Sequence, residues 1–276
     1  MNFEKPKNIE KGRNIDLTIH LMRHGKKRPD GNLSETGARE AQERGAEMGV
    51  MKNVKAYTSR VPRVVETAQA VQQGAEIYNK FNQRNRSALS DTLLRAPGTD
   101  QPPRFFKETI LKRLADAHTA PENNREQRIR EAEHQNMQEW LSHDDDFIDE
   151  TTNSPKNVAR AVAHLLVRQI DMSEHLKSGS DVDLLDVTHE FMLAAIIRYA
   201  VKKQNEDGST VSGEEIMREK QSIDYLESLD IEVHIDENGK KTVSLEINGE
   251  PYILDMDTLR ILSDEYKEGN INTQSN

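Results

Sequence analysis

The sequence contains no cysteine, which excludes disulfides, thiolate nucleophiles and cysteine-ligated zinc. Tryptophan occurs once, and aromatic residues make up only 5% of the 276 positions. No stretch approaches the roughly 18 apolar residues that a membrane-spanning helix needs, so no membrane association is expected. The opening residues, MNFEKPKNIEKGRNID, lack the apolar segment of a secretory signal, and the expected location is the cytoplasm. Basic residues are in deficit, 38 against 48 acidic, for a formal net charge of −10. A broad basic face for nucleic acid is therefore not expected. A local basic pocket is still compatible with that balance, because screening limits surface charges to about 8–10 Å of reach. With 34% hydrophobic residues, 31% charged residues and a mean hydropathy of −0.83, the core should be modest and surrounded by polar excursions.

What is present alternates between two periods. Residues 16–22, DLTIHLM, place Leu17, Ile19 and Leu21 on one face and Thr18, His20 and Met22 on the other, the pattern of a strand. A polar loop, RHGKKRPDGN, leads to LSETGAREAQERGAEMG, a helix to about Gly49 with Ser34 as N-cap. VKAYTS (54–59) repeats the strand, and RVPRVVETAQAVQQGAEIY repeats the helix, with Ser59 as cap and Pro62 in the first turn, where it is tolerated. Residues 79–154 break the rhythm with Asn-, Arg- and Pro-rich loops and one polar helix, whose thin apolar stripe is Ile129, Ala132, Met137, Trp140 and Leu141. From 155 the alternation resumes. A helix capped by Ser154 is followed by a strand, DVDLLDVT (181–188), an apolar helix, HEFMLAAIIRYAV, and a helix GEEIMREKQSIDYLESL. Three strands then span 231–254, with turns at Glu237–Gly239 and Asn248–Gly249, and a short terminal helix ends the pattern. The expectation is a single α/β domain over 1–276, a three-layer α/β/α sandwich with a mostly parallel central sheet. Residues 79–154 form a helical insertion or cap within it.

Polar residues collect at the strand-to-helix junctions. Arg23 and His24 follow the first strand, Arg63 follows the second, and His189 and Glu190 follow the strand at 181–188. In a parallel α/β sheet ligands bind beyond the carboxyl ends of the strands, so residues far apart in sequence would share one crevice. Guanidinium forks match the oxygens of a phosphoryl group. A neutral histidine beside arginines keeps its lone pair and can attack phosphorus. A second histidine can stabilise charge on the transferring group, and a carboxylic acid can protonate the leaving oxygen.

These motifs resemble the histidine phosphatase superfamily, also called phosphoglycerate mutase-like. LMRHG (21–25) matches its Arg-His-Gly signature, and LSETGAREA (33–41) the helix after it. SRVPRVVETA (59–68) supplies Ser59, Arg63, Thr67 and Ala68, and DVTHE (186–190) supplies the strand ending in a histidine. The resemblance covers roughly 16–78 and 155–254. It implies a metal-independent phosphomonoester phosphatase of the histidine acid type, with no cofactor, acting through a phosphohistidine on His24. Arg23, Arg63 and His189 would hold the phosphate. The acid would be Glu190, directly after the second histidine, or else Asp91 in ALSDTLL, 28 residues after Arg63. Nothing matches the longer signature of glycolytic mutases. In its place KKRPDG brings Lys26 and Lys27 to the rim, where they would contact a second anionic group of the substrate or remain solvated.

The partner implied is a phosphorylated small molecule or phosphoprotein, its identity and the oligomeric state open. The polar insertion and the unusual acid position suggest an alternative, a non-catalytic phospholigand-binding or regulatory protein on the same fold. The other histidines show no metal-ligand spacing. His20 is about 13 Å from His24 at roughly 3.3 Å per strand residue, and reads as packed or surface. The acidic run at 144–150 lacks the spacing of a calcium loop and reads as solvated.

Overall fold

The computed structural model describes residues 10–28, 30–78, 82–96, 103–220 and 222–274. Strand β1 (Ile15–Arg23) leads to helix α1 (Glu35–Met48). β2 (Val50–Lys52) and β3 (Lys55–Thr58) precede α2 (Pro62–Gly74), β4 (Glu76–Tyr78) and β5 (Asn82–Asn85). The middle of the chain holds a π-helical turn (Phe106–Ile110), α3 (Leu111–His118) and α4 (Glu122–Ser142). Then come α5 (Pro155–Met172), β6 (Asp181–Thr188), α6 (Glu190–Ala200), β7 (Val201–Gln204), β8 (Thr210–Ser212) and α7 (Gly213–Glu219). The chain finishes with β9 (Ser228–Ile235), β10 (Lys241–Ile247), β11 (Glu250–Leu254) and α8 (Met256–Gln274).

Nine of the strands form one sheet in the order β5-β3-β6-β1-β9-β10-β11-β7-β8. The four strands from β5 to β1 run parallel. From β9 onward the sheet continues antiparallel. The register sets where the strands end. Arg23 of β1 lies opposite Thr188 of β6, and Val187 lies opposite Thr58 of β3. The three strands therefore stop at one level, and the residues just beyond them meet at a single edge.

Alternation along the strands divides the core in two. Ile15, Leu17, Ile19 and Leu21 of β1 join Leu184 of β6 and the apolar faces of α5, α6 and α8. Met22, Ala56, Leu185 and Val187 face the other way, against Ala41 of α1 and Val64, Ala68 and Val71 of α2. The three-layer α/β/α arrangement results from this period of two. Ser34 caps α1, accepting from Gly37 N, and Ser154 caps α5 ahead of Pro155. The Asn248–Gly249 turn has φ of 55° and 75° at its two residues, the paired left-handed conformation that this dipeptide favours.

Several details differ from the sequence expectation. Helix α2 stops at Gly74 although its pattern extends to Tyr78, and Glu76–Tyr78 forms β4 instead. The N-cap of α2 is Val61, and Ser59 instead accepts a bond from Val61 N at 3.2 Å. Residues 201–212 form a β-hairpin (β7–β8) that carries too few apolar residues to signal itself. The terminal helix is long, spanning 19 residues. The helix expected over 213–229 stops at Glu219, and residue 220 and residues 222–227 run as an irregular strap to β9. Within that strap Glu227 is buried, paired with Lys220 at 2.8 Å, and its backbone carbonyl accepts from Arg23 N at 2.9 Å. Tertiary hydrogen bonding thus overrides the local helical pattern.

In the segment after β5, α4 packs firmly on the domain. Met137, Trp140 and Leu141 are fully buried. The Trp140 ring meets Phe191 of α6 edge-on at 5.1 Å, and Phe106 meets the same Phe191 ring at 4.9 Å. Trp140 Nε1 donates to Asn153 O at 3.2 Å.

Candidate active site

The site is built from the turn after β1. Arg23 and His24 are each about 5% exposed. The His24 amide donates to Thr188 O, which continues the β1–β6 pairing one residue past the strand. Gly25 N donates to Thr67 Oγ1 at 3.0 Å, and that hydroxyl donates to Arg63 O at 2.6 Å. Thr67 therefore fastens α2 to the turn. A Cβ on Gly25 would stand 2.8 Å from the Leu33 side chain and 3.1 Å from Gly37 O, so any side chain here would press on the start of α1.

The tautomer of His24 is set by its partners. Nδ1 lies 2.8 Å from Gly25 O, and a carbonyl only accepts, so Nδ1 carries the proton. Arg63 Nε, which only donates, lies 3.0 Å from His24 Nε2. The imidazole is thus neutral, with its Nε2 lone pair directed into the crevice. Burial holds its pKa well below the ordinary histidine range, with His189 and Arg63 adding to the effect.

Arg63, in the first turn of α2, bridges both imidazoles. Its Nη2 is 3.3 Å from His189 Nδ1, and its Nη1 reaches Gly31 O at 3.4 Å. His189 is the N-cap residue of α6, and its Nε2 faces Ser59 Oγ at 3.5 Å. Burial, then Arg63, Arg23 and Lys27, push its pKa down to about 3. The two histidine rings are 5.2 Å apart, edge to face. The structure therefore brings Arg23, His24, Arg63 and His189 together from three chain segments.

Glu190 stands behind Arg23. Its Oε2 pairs with Arg23 Nη2 at 3.0 Å, and its Oε1 accepts from Ile223 N at 3.4 Å. Burial raises its pKa and Arg23 opposes that rise. The Asp91 side chain lies outside the described residues; its backbone is in a 3-10 turn, Asp91–Leu94. Lys26 and Lys27 are exposed at the rim. Desolvation and the neighbouring Arg63 lower the Lys27 pKa, so this lysine shares the field of the pocket. Arg104 pairs with Glu150 at 3.0 Å and Arg86 lies over the Tyr57 ring.

Sequence reasoning missed two contributors. Tyr225 stacks over the Arg23 guanidinium at 4.1 Å and lies 5.9 Å from the His24 ring. The strap that carries it also supplies Ile223 O, which accepts from Arg23 Nη1. Glu133 of α4 acts electrostatically on Lys27, Glu190 and Tyr225. Neither lies in a motif, and the helix pattern over 213–229 concealed the strap. Among the described residues no group of histidine and carboxylate side chains is arranged to hold a metal ion.

No family model matches the chain, and no curated protein matches it. Solved structures do. A mycobacterial glucosyl-3-phosphoglycerate phosphatase is 15% identical with a TM-score of 0.45, covering 85% of this chain and 98% of that one. A phosphoserine phosphatase from Entamoeba histolytica, in complex with 3-phosphoglyceric acid, is 14% identical with a TM-score of 0.43, covering 86% and 98%. A mycobacterial hydrolase is 15% identical with a TM-score of 0.46, covering 87% and 100%. Two of these neighbours are named as phosphatases and one as a hydrolase. At such scores the likeness says nothing of activity.

Proposed function

We propose that this protein hydrolyses phosphomonoesters through a phosphohistidine on His24. The observation that carries the reading is the neutral His24 imidazole, its Nε2 lone pair aimed into a crevice with Arg23, Arg63 and His189. A phosphate dianion entering there draws the Arg63 fork onto its oxygens. That movement releases Nε2 for attack. His189 supports the equatorial charge, and Glu190 holds the Arg23 fork in place through its ion pair. Water then attacks phosphorus and frees the histidine. No metal takes part in this scheme, and the substrate is a phosphorylated small molecule or phosphoprotein that a soluble, cytoplasmic enzyme would meet.

His24→Ala should abolish release of p-nitrophenol from p-nitrophenyl phosphate, and acid quenching of the wild type should trap acid-labile, alkali-stable phosphate on His24. Turnover by His24→Ala at the wild-type rate refutes the reading. A chelator should leave activity unchanged.

One observation favours a second reading, phospholigand binding without turnover: Arg63 Nε already occupies the His24 lone pair. Phosphate-dependent thermal stabilisation with no hydrolysis across a phosphomonoester panel would select it.

A further inference from the structure

The phosphatase reading leaves one role unfilled. An alkoxide is a poor leaving group, so P–O cleavage needs a proton donor on the far side of phosphorus. Glu190 is badly placed to give one. Both of its oxygens accept hydrogen bonds, from Arg23 Nη2 and Ile223 N. While the Arg23 pair stands, both oxygens are engaged and the carboxylate is held on the arginine.

A second carboxyl approaches from α4. Glu133 is half-buried and lies one helical turn before Met137, on the face that carries Trp140. That face packs on α6, where Trp140 meets Phe191, the residue after Glu190. Glu133 is seven residues up the same face, about 10 Å along the axis at roughly 1.5 Å per residue. The helix is held on another side by Gln138 Nε2, which donates to Met217 O of α7 at 2.5 Å. Glu133 acts on Lys27 from the loop after β1, Glu190 from the start of α6 and Tyr225 from the strap. All three bear groups that meet Arg23 or Arg63: Lys27 feels Arg63, Glu190 pairs with Arg23, and Tyr225 lies over the Arg23 guanidinium. Glu190 is tied to an arginine and a backbone amide; Glu133 has no such tie among the described residues.

We propose that Glu133 is the leaving-group acid, delivered to the pocket by the helix that interrupts the α/β pattern. His24 Nε2 forms the N–P bond as the P–O bond breaks, and the bond pair goes to the ester oxygen. The Glu133 carboxyl gives its proton to that oxygen and is left as a carboxylate. In the second step the carboxylate takes a proton from the water that attacks phosphorus, which restores Glu133 and returns the electron pair to Nε2.

The proposal rests on the phosphatase reading, and the test separates the two. Glu133→Gln and Glu190→Gln are compared with wild type on glycerol 2-phosphate, an alkyl ester, and on p-nitrophenyl phosphate, whose leaving group departs without a proton. Glu133→Gln should lose about 10²–10³-fold in kcat on the alkyl ester and less than tenfold on the aryl ester. Glu190→Gln should lower both alike, because it acts through Arg23. Vanadate affinity of Glu133→Gln should match wild type, which shows an intact pocket. Equal losses on the two esters, or no loss, overturn the role of Glu133 and leave the phosphatase reading standing. A wild type inactive on every phosphomonoester overturns both.

Discussion

Asp186 offers a direct test of the physical reasoning, because a single proton settles three observations at once. It sits in the middle of β6, fully buried. Its Oδ2 accepts from Gln169 Nε2 of α5 at 2.8 Å. Its Oδ1 and Gln169 Oε1 are both buried without a partner. A proton on Oδ1, donated to Gln169 Oε1, would close a cyclic pair and satisfy both atoms. Burial favours that neutral form and lifts the pKa to about 7, against weaker opposition from Gln169, Arg86 and His20. The unfolded chain holds this carboxyl at 3.8. Between pH 4 and 7 the native state therefore binds one proton more than the unfolded state, and stability falls as pH rises through that window. Three pH units at 1.36 kcal/mol each make about 4 kcal/mol, as an upper bound. Asp186→Asn keeps the shape and makes the cyclic pair permanent. The difference in unfolding free energy between variant and wild type, from urea titrations at pH 4.5 to 8, should move by several kcal/mol in favour of the variant. Taking the difference cancels the titrating groups that do not act on Asp186. A difference that stays flat across this range refutes the buried-acid account.

Two further outcomes rest on packing. Trp140→Ala should cost about 3–5 kcal/mol of stability, because the ring is fully buried and tied to Phe106, Phe191 and Asn153; denaturant unfolding measures it, and a cost below about 1 kcal/mol would show that α4 packs only loosely. On the proposed function, Gly37→Ala should lower turnover of p-nitrophenyl phosphate more than ten-fold with the fold retained by circular dichroism, because its Cβ would stand 2.4 Å from Lys26 O and push the loop beside His24. Unchanged turnover in that variant would mean that the loop yields without moving the histidine.

Much of this was legible in the sequence because its signals are local. The period of two in DLTIHLM, the caps Ser34 and Ser154, and the Asn248–Gly249 turn each act within a few residues, and the structure has them. Arg23, His24, Arg63 and His189 could be grouped because each lies at a strand-to-helix junction, and parallel strands end together. The partners of His20 were out of reach. It sits 2.7 Å from Asp230 and 3.8 Å from Asp183, which raise its pKa to about 9 against the pull of burial, and those carboxylates lie on other strands. The strap that follows α7 was hidden for a related reason. Its sequence continues a helical pattern, while in the structure Ile223 bonds to Arg23 and Glu190. Glu133 had no signal at all, since a glutamate on a polar helix looks like any solvated charge.

The sheet order also bears on when the molecule can become competent. β1, which ends in Arg23 and leads into His24, is wedged between β6 and β9, so its neighbours are residues 181–188 and 228–235. A ribosome adds about 5–20 residues per second, so the strand emerges roughly 10–40 s before its last neighbour. Through that interval the edge of β1 that β9 will cover has no native hydrogen-bonding partner, and such an unpaired edge invites self-association. The late-made β9–β10–β11 meander pairs its strands with their own neighbours in sequence. It can form as a unit and then accept the waiting strand, so the crevice closes only after nearly the whole chain has been synthesised.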